Sequence, residues 1–155
     1  MIQNFYNDFK EFIKLLIKFN VEYLIVGGYA VSIYSRPKNT QDIDIWINPS
    51  RGNAEKLLKV IDEFGFGSTG ITLNDLTTEN QIVQFGIPPI RIDIMTSIDG
   101  VDFNKAYADK VLFQFDDIGK VSYISFEDLL TNKRKSDRLK DKIDLDWLNE
   151  YGKDN

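Results

Sequence analysis

Apolar residues recur at helical spacing from the start of the chain: Ile2, Phe5, Tyr6, Phe9, Phe12, Ile13, Leu16 and Ile17, with Asp8, Lys10, Glu11 and Lys14 on the other face. That period predicts an amphipathic helix ending near Asn20, its aromatic stripe turned into the core. The period then changes. Val21 to Val26 is a short β-branched run interrupted by Glu22; it reads as a buried strand, ended by Gly27-Gly28. Tyr29 to Ser35 predicts a short helix that Arg36-Pro37 stops, because the residue before proline avoids helical geometry. Asp42 to Ile47 alternates polar and apolar positions and predicts a second strand. Ala54, Leu57, Leu58, Ile61 and Phe64 describe another amphipathic helix, closed by Gly65.

From Gly65 to Asn80 the chain is rich in Gly, Ser, Thr and Asn and reads as a surface connection or a short edge hairpin. Gln81 to Ile87 and Ile90 to Met95 are strand candidates separated by Pro88-Pro89, which bars a regular ladder at the prolines themselves. Asp99-Gly100 is a turn and Phe103 to Asp109 a short helix; Val111 to Phe115 and Val121 to Ile124 read as a hairpin across Asp116-Asp117-Ile118-Gly119. Ser125-Phe126-Glu127-Asp128 has the form of a capping box opening a helix. Apolar residues thin out after Leu130, so a break is expected near Ser136-Asp137, before a last helix that turns Leu139, Ile143, Trp147 and Leu148 inward. The order of elements predicts one α/β (α+β) domain over 1–155: an N-terminal helix over 1–20, a mixed-sheet core over 21–124 and C-terminal helices over 125–151.

Composition narrows the chemistry. Apolar content of 43% and aromatic content of 13% suit a folded globule. No apolar run approaches the roughly 20 residues that span a bilayer, and the charged, amphipathic N-terminal pattern does not read as a signal peptide, so a cytoplasmic setting is expected. The chain has no cysteine and no histidine. Disulfides, thiolate or imidazole metal sites, Ser-His-Asp triads and Cys nucleophiles are thereby excluded. What remains is oxygen ligation, which favours magnesium or manganese over zinc. The net charge of −5 argues against tight non-specific binding to nucleic acid, yet Lys133, Arg134, Lys135, Arg138, Lys140 and Lys142 cluster within ten residues, against Asp137 and Asp141 alone. Such a patch can serve a polyanionic substrate or simply solvate a helix, with Lys133 paired to Asp137 and Arg138 to Asp141.

Strand alternation puts Asp42, Asp44 and Trp46 on one face and Ile43, Ile45 and Ile47 on the other. By the same logic Arg91, Asp93 and Met95 oppose Ile92 and Ile94. If the two strands are neighbours, three carboxylates converge, and charges that close need a neutralising partner, for which a divalent cation is the usual answer. Glycines at a strand-to-helix junction can bring backbone amides and a helix N-terminus to a phosphate. Each motif alone also has a plain reading: Gly-Gly as a tight turn, Asp-x-Asp as solvent-facing positions at a strand end.

Taken in order, these pieces resemble the polymerase-beta-type nucleotidyltransferase superfamily. Val26-Gly27-Gly28-Tyr29-Ala30-Val31, Lys38 to Trp46, Arg91 to Val101 and the tail with Lys133, Arg138, Lys140-Asp141 and Asp144 carry the resemblance. Within that superfamily the chain is similar to small bacterial proteins related to the nucleotidyltransferase toxins of abortive-infection systems. The resemblance implies a polymerase-beta-like nucleotidyltransferase fold. It implies that Asp42, Asp44 and Asp93 hold magnesium (or manganese) and catalyse transfer of a nucleoside monophosphate from a nucleoside triphosphate to a hydroxyl acceptor on RNA such as tRNA, protein or a small molecule. Gly27, Gly28, Lys38, Thr40 and Lys133 would contact the nucleotide, and Asp93 would take up or orient the acceptor's proton; a partner protein encoded nearby would support a toxin–antitoxin reading. Departures stand beside the match. Gly27-Gly28 replaces the commoner Gly-Ser, Lys38 stands where relatives carry Arg, and Tyr34-Ser35 where they carry His-Gly. Lys cannot reproduce the bidentate grip of Arg. With no large second domain, an acceptor pocket would be shallow, borrowed or made by oligomerisation. The competing expectation is a non-catalytic nucleotide- or partner-binding protein; a metal-dependent phosphohydrolase is a third.

Overall fold

In a computed structural model the chain is described over residues 5–36, 40–86 and 88–152. Seven α-helices and six strands are named here in chain order: α1 Asn7–Lys18, β1 Tyr23–Val26, α2 Gly27–Tyr34, β2 Asp42–Ile47, α3 Arg51–Ile61, α4 Leu73–Thr77, β3 Ile82–Phe85, β4 Arg91–Met95, α5 Phe103–Ala108, β5 Val111–Phe115, β6 Gly119–Tyr123, α6 Phe126–Lys135 and α7 Leu139–Tyr151. The strands form one mixed sheet in the order β3-β4-β2-β1-β6-β5. β2 runs parallel to β4 and β1 to β6, while the β1–β2, β3–β4 and β5–β6 pairs are antiparallel. This six-stranded mixed sheet flanked by helices is consistent with a polymerase-beta-like fold. No helix among the described residues is long and apolar enough to cross a membrane.

The isoleucines of β2 set the layering. Ile43, Ile45 and Ile47 are wholly buried and join Phe9, Phe12, Ile13 and Leu16 of α1 and Leu57 and Val60 of α3 in one core. Phe12 lies 5.3 Å from Phe85 of β3 and 5.2 Å from Phe64, a tilted and an edge-on contact that seat α1 under the sheet. The opposite face of β2 carries Asp42 and Asp44 and then Trp46, whose ring meets Phe103 of α5 edge-on at 5.0 Å. One end of this face is therefore roofed by α5, and its aspartate end is left for the site.

Some expectations shift. In the N-terminal stripe Phe5, Phe9, Phe12, Ile13 and Leu16 are buried, but Tyr6 and Ile17 are exposed; Ile2 lies outside the described residues. Between 65 and 80 the chain forms no strand. A wide π-type turn over Asp62–Phe66 and a 3-10 turn over Gly67–Thr69 lead into α4. Helix α4 is opened by a reciprocal capping box, in which Thr72 Oγ1 accepts from the Asp75 N–H and Asp75 Oδ2 accepts from the Thr72 N–H. In α6 the Ser125 hydroxyl accepts from the Asp128 N–H as expected, while the Asp128 carboxylate pairs with Lys105 of α5.

The largest correction is α7. Leu139 and Ile143 do not turn inward: they are 74% and 48% exposed. The buried face of α7 carries Asp141, Asp144 and Leu148 instead, spaced three and four residues apart on one side of the helix.

Candidate active site

Parallel pairing of β2 with β4 places Asp42 opposite Arg91, Asp44 opposite Asp93 and Trp46 opposite Met95. Partners in register share a face, so the sheet brings Asp44 and Asp93 together as neighbouring strands bring any opposed pair. Antiparallel pairing extends that row to Gln84 of β3 on one side and Val26 of β1 on the other. Asp93 is only 8% exposed, and its Oδ1 is buried without a hydrogen-bond partner. Burial and the negative charge of Asp93 push the Asp44 carboxyl up to about 6, against the pull of Lys140 and Lys133. Asp93 is raised as well, chiefly by burial and by Asp42, with Arg91, Gln84 and Asp44 partly offsetting the rise.

Asp42 is held differently. Arg91 Nε donates to its Oδ1 at 3.3 Å and Arg91 Nη2 to its Oδ2 at 3.0 Å, so both carboxylate oxygens already serve a cation. Two of the three expected ligands thus stand side by side, with the Asp93 Oδ1 unpartnered, and the third is bound to the guanidinium. Among the described residues no group of three acidic side chains is gathered closely enough to hold a metal ion as it stands. Donor chemistry and the orphaned oxygen fit a hard divalent ion at Asp44 and Asp93; Asp42 fits once Arg91 yields.

The two glycines part ways. Gly27 has φ +64°, and a Cβ there would lie 2.0 Å from Asp44 Oδ2, so only glycine lets α2 begin against that carboxylate. Gly28 has no such constraint; a Cβ would meet Thr40 Cγ2 at 3.4 Å, an ordinary contact. Thr40 fixes the approach to β2, its hydroxyl donating to the Asp42 carbonyl at 3.0 Å and its own carbonyl accepting from the Tyr29 hydroxyl at 3.4 Å. Lys38 lies outside the described residues.

Lys133 is 4% exposed and pairs with two acids: Nζ donates to Asp141 Oδ1 at 2.8 Å and lies 3.2 Å from Asp144 Oδ2. Its partner is not Asp137, which is exposed. Asp141 also accepts from Ser136 and from Arg138, at 2.9 Å from Nε and 3.2 Å from Nη2. Burial alone would raise the Asp141 carboxyl, but Arg138, Lys133 and Ser136 overcome that and hold it far below the usual carboxylate range. The sequence reading passed over Arg91 as a partner of Asp42, although alternation already placed Arg91 on the Asp93 face. It also passed over Asp141 and Asp144 as a buried pair, whose signal was their shared helical face with Leu148.

Sheet order, helix placement and the paired aspartates define a nucleotidyltransferase-like domain. The family described as nucleotidyl transferase of unknown function (DUF2204) matches residues 5–155, and the chain belongs to it. No curated protein matches the chain.

Proposed function

We propose that this protein transfers a nucleoside monophosphate from a nucleoside triphosphate to a hydroxyl acceptor, with magnesium or manganese held by Asp44 and Asp93 and joined by Asp42. The observation that carries this reading is the Asp44–Asp93 register pair, with its raised proton affinities, the buried unpartnered Oδ1 of Asp93 and the Asp44 carboxylate lying against Gly27. Natural proteins neutralise such neighbours with a cation or leave one of them protonated. A divalent ion, when bound, offsets the negative charge of the phosphates and of the departing group.

The chain's own residues account for the rest. Backbone N–H groups around Gly27 and Gly28, at the start of α2, would receive the β- and γ-phosphates, as helix N-termini do. Thr40 packs against Gly28 and holds that wall in place. The acceptor oxygen attacks the α-phosphorus as the bond to the bridging β-phosphate oxygen breaks and pyrophosphate leaves; Asp93, with its raised proton affinity, takes the hydroxyl proton. Lys133 acts on the nucleotide through its field, which reaches Asp44, since its ammonium is already committed to Asp141 and Asp144. Lys38 remains assigned to the triphosphate. The acceptor class stays RNA, protein or a small molecule.

Incubation with each labelled nucleoside triphosphate and tRNA, protein or aminoglycoside acceptors tests this. Label should pass to one acceptor class with release of pyrophosphate, and Asp44→Asn combined with Asp93→Asn should abolish it. Transfer that survives the double change refutes the site. One observation favours a second reading, nucleotide or partner binding without transfer: Asp42 is engaged by Arg91 rather than turned to its fellow aspartates. Under that reading nucleotide binds and no label moves.

A further inference from the structure

The start of β4 brings two unlike contacts to one face of the sheet, an ion pair and a pair of carboxylates. One strand row holds Asp42 with Arg91, fully satisfied; the next holds Asp44 with Asp93, short of partners. We propose that Arg91 is a latch on Asp42, a resident counter-cation that a divalent ion must displace before this carboxylate can join Asp44 and Asp93. The inference rests on the metal site proposed above.

Three features support a latch over a fixed ion pair. Arg91 addresses both oxygens of Asp42, so the carboxylate is oriented toward the guanidinium and away from the neighbouring row. The pair is partly solvated, with side chains 42% and 39% exposed, and ion pairs in that setting are weak enough to exchange. Three carboxylates on one face of two neighbouring strands also repel one another, and Arg91 supplies one positive charge against that repulsion. The Lys133 cluster is the counter-example in the same molecule, its ammonium and both carboxylates buried, with the exposed Arg138 reaching in to Asp141. An arginine on a long, flexible stem at the first position of β4 can withdraw while its backbone stays fixed, the Arg91 N–H donating to the Gln41 carbonyl at 3.0 Å.

Calorimetric titration with Mn2+, without nucleotide, tests the latch on the wild type, Arg91→Gln and Arg91→Lys. Removing the competitor should tighten Mn2+ binding roughly three- to tenfold in Arg91→Gln, with Arg91→Lys between the two because an ammonium grips one oxygen at a time. A residue that merely orients Asp42 for the ion gives the opposite sign. Equal or weaker binding in a folded Arg91→Gln, with folding checked by circular dichroism and thermal melting, overturns the latch. Asp44→Asn separates the two ideas: it should abolish binding in either background, and binding that persists there overturns the metal site and the latch with it. If the wild type binds no Mn2+ but Arg91→Gln does, the latch stands; if neither binds, both proposals fall.

Discussion

Two pairs of aspartates, one of them through Asp44, feel the charge of the same Lys133 and are treated in opposite ways. Asp141 and Asp144 are buried on α7, and each has its cation in Lys133, with Arg138 and Ser136 completing Asp141. Asp44 and Asp93 are paired across β2 and β4, and among the described residues neither is held in an ion pair. The Asp141 carboxyl is held far below its ordinary range; that of Asp44 is pushed up to about 6. Burial raises both carboxyls, and at Asp141 the cations and the Ser136 hydroxyl reverse the sign. A satisfied buried acid is part of the framework, and an unsatisfied one is open to a further partner.

The framework side breaks most severely. Lys133→Met would leave Asp141 and Asp144 buried with Arg138, itself largely solvated, as the remaining cation. Breaking a buried ion pair from one side costs about 3–5 kcal/mol. Urea unfolding of Lys133→Met should show a loss of that size. Lys140→Met, which removes an exposed charge felt by the same site, should stay within about 0.5 kcal/mol of the wild type. Equal losses in the two variants would mean that the Lys133 cluster is not the strut joining α6 to α7.

A smaller effect probes the site side. Gly27→Ala forces a left-handed backbone on alanine and drives its Cβ into Asp44 Oδ2. The conformation alone costs about 1–2 kcal/mol, and the displaced carboxylate adds to it. Gly28→Ala meets only Thr40 at ordinary contact distance and should shift the melting temperature little. Thermal melts of both variants check this; a Gly28 variant as damaged as the Gly27 variant would remove the distinction.

How far the comparison could be read from sequence follows from what each pair depends on. Asp42 to Ile47 was legible to the residue, because alternating isoleucines leave one way to lay a strand on a core, and the same alternation put Asp44 and Asp93 on one face. That these strands are neighbours is a matter of sheet order, which periodicity does not encode. The α7 face was misread for an energetic reason. Leu139 and Ile143 have helical spacing, and the apolar period normally decides which side is buried, but a ready-made ion cluster with Lys133 made the Asp141–Asp144 side the one that packs. Helix α4 escaped notice because five residues have too little period to register; the Thr72-Asp75 capping box was the available signal.

The finest test uses pH. Because burial and Asp93 raise Asp44 to about 6 in the folded chain, from an ordinary value of 3.8, the native state binds more protons than the unfolded state between those values. Stability therefore falls as pH rises through that window, and the penalty of holding an ionised Asp44 is fully present above it. Asp44→Asn removes the ionisation, so it should stabilise the ion-free protein at pH 7.5 by on the order of 1–2 kcal/mol and give no such gain near pH 4, where Asp44 is protonated in the folded wild type. Saturating Mn2+ should then reverse the order, since an ion present at about a hundred times its dissociation constant adds roughly 2.7 kcal/mol to a protein that binds it and nothing to the variant. Melting curves at the two pH values, with and without Mn2+, read all four corners. A variant that gains equally at pH 4 and pH 7.5 would show that the Asn merely packs better. The crossing in both pH and metal is what separates a carboxylate kept waiting from one that is only badly placed.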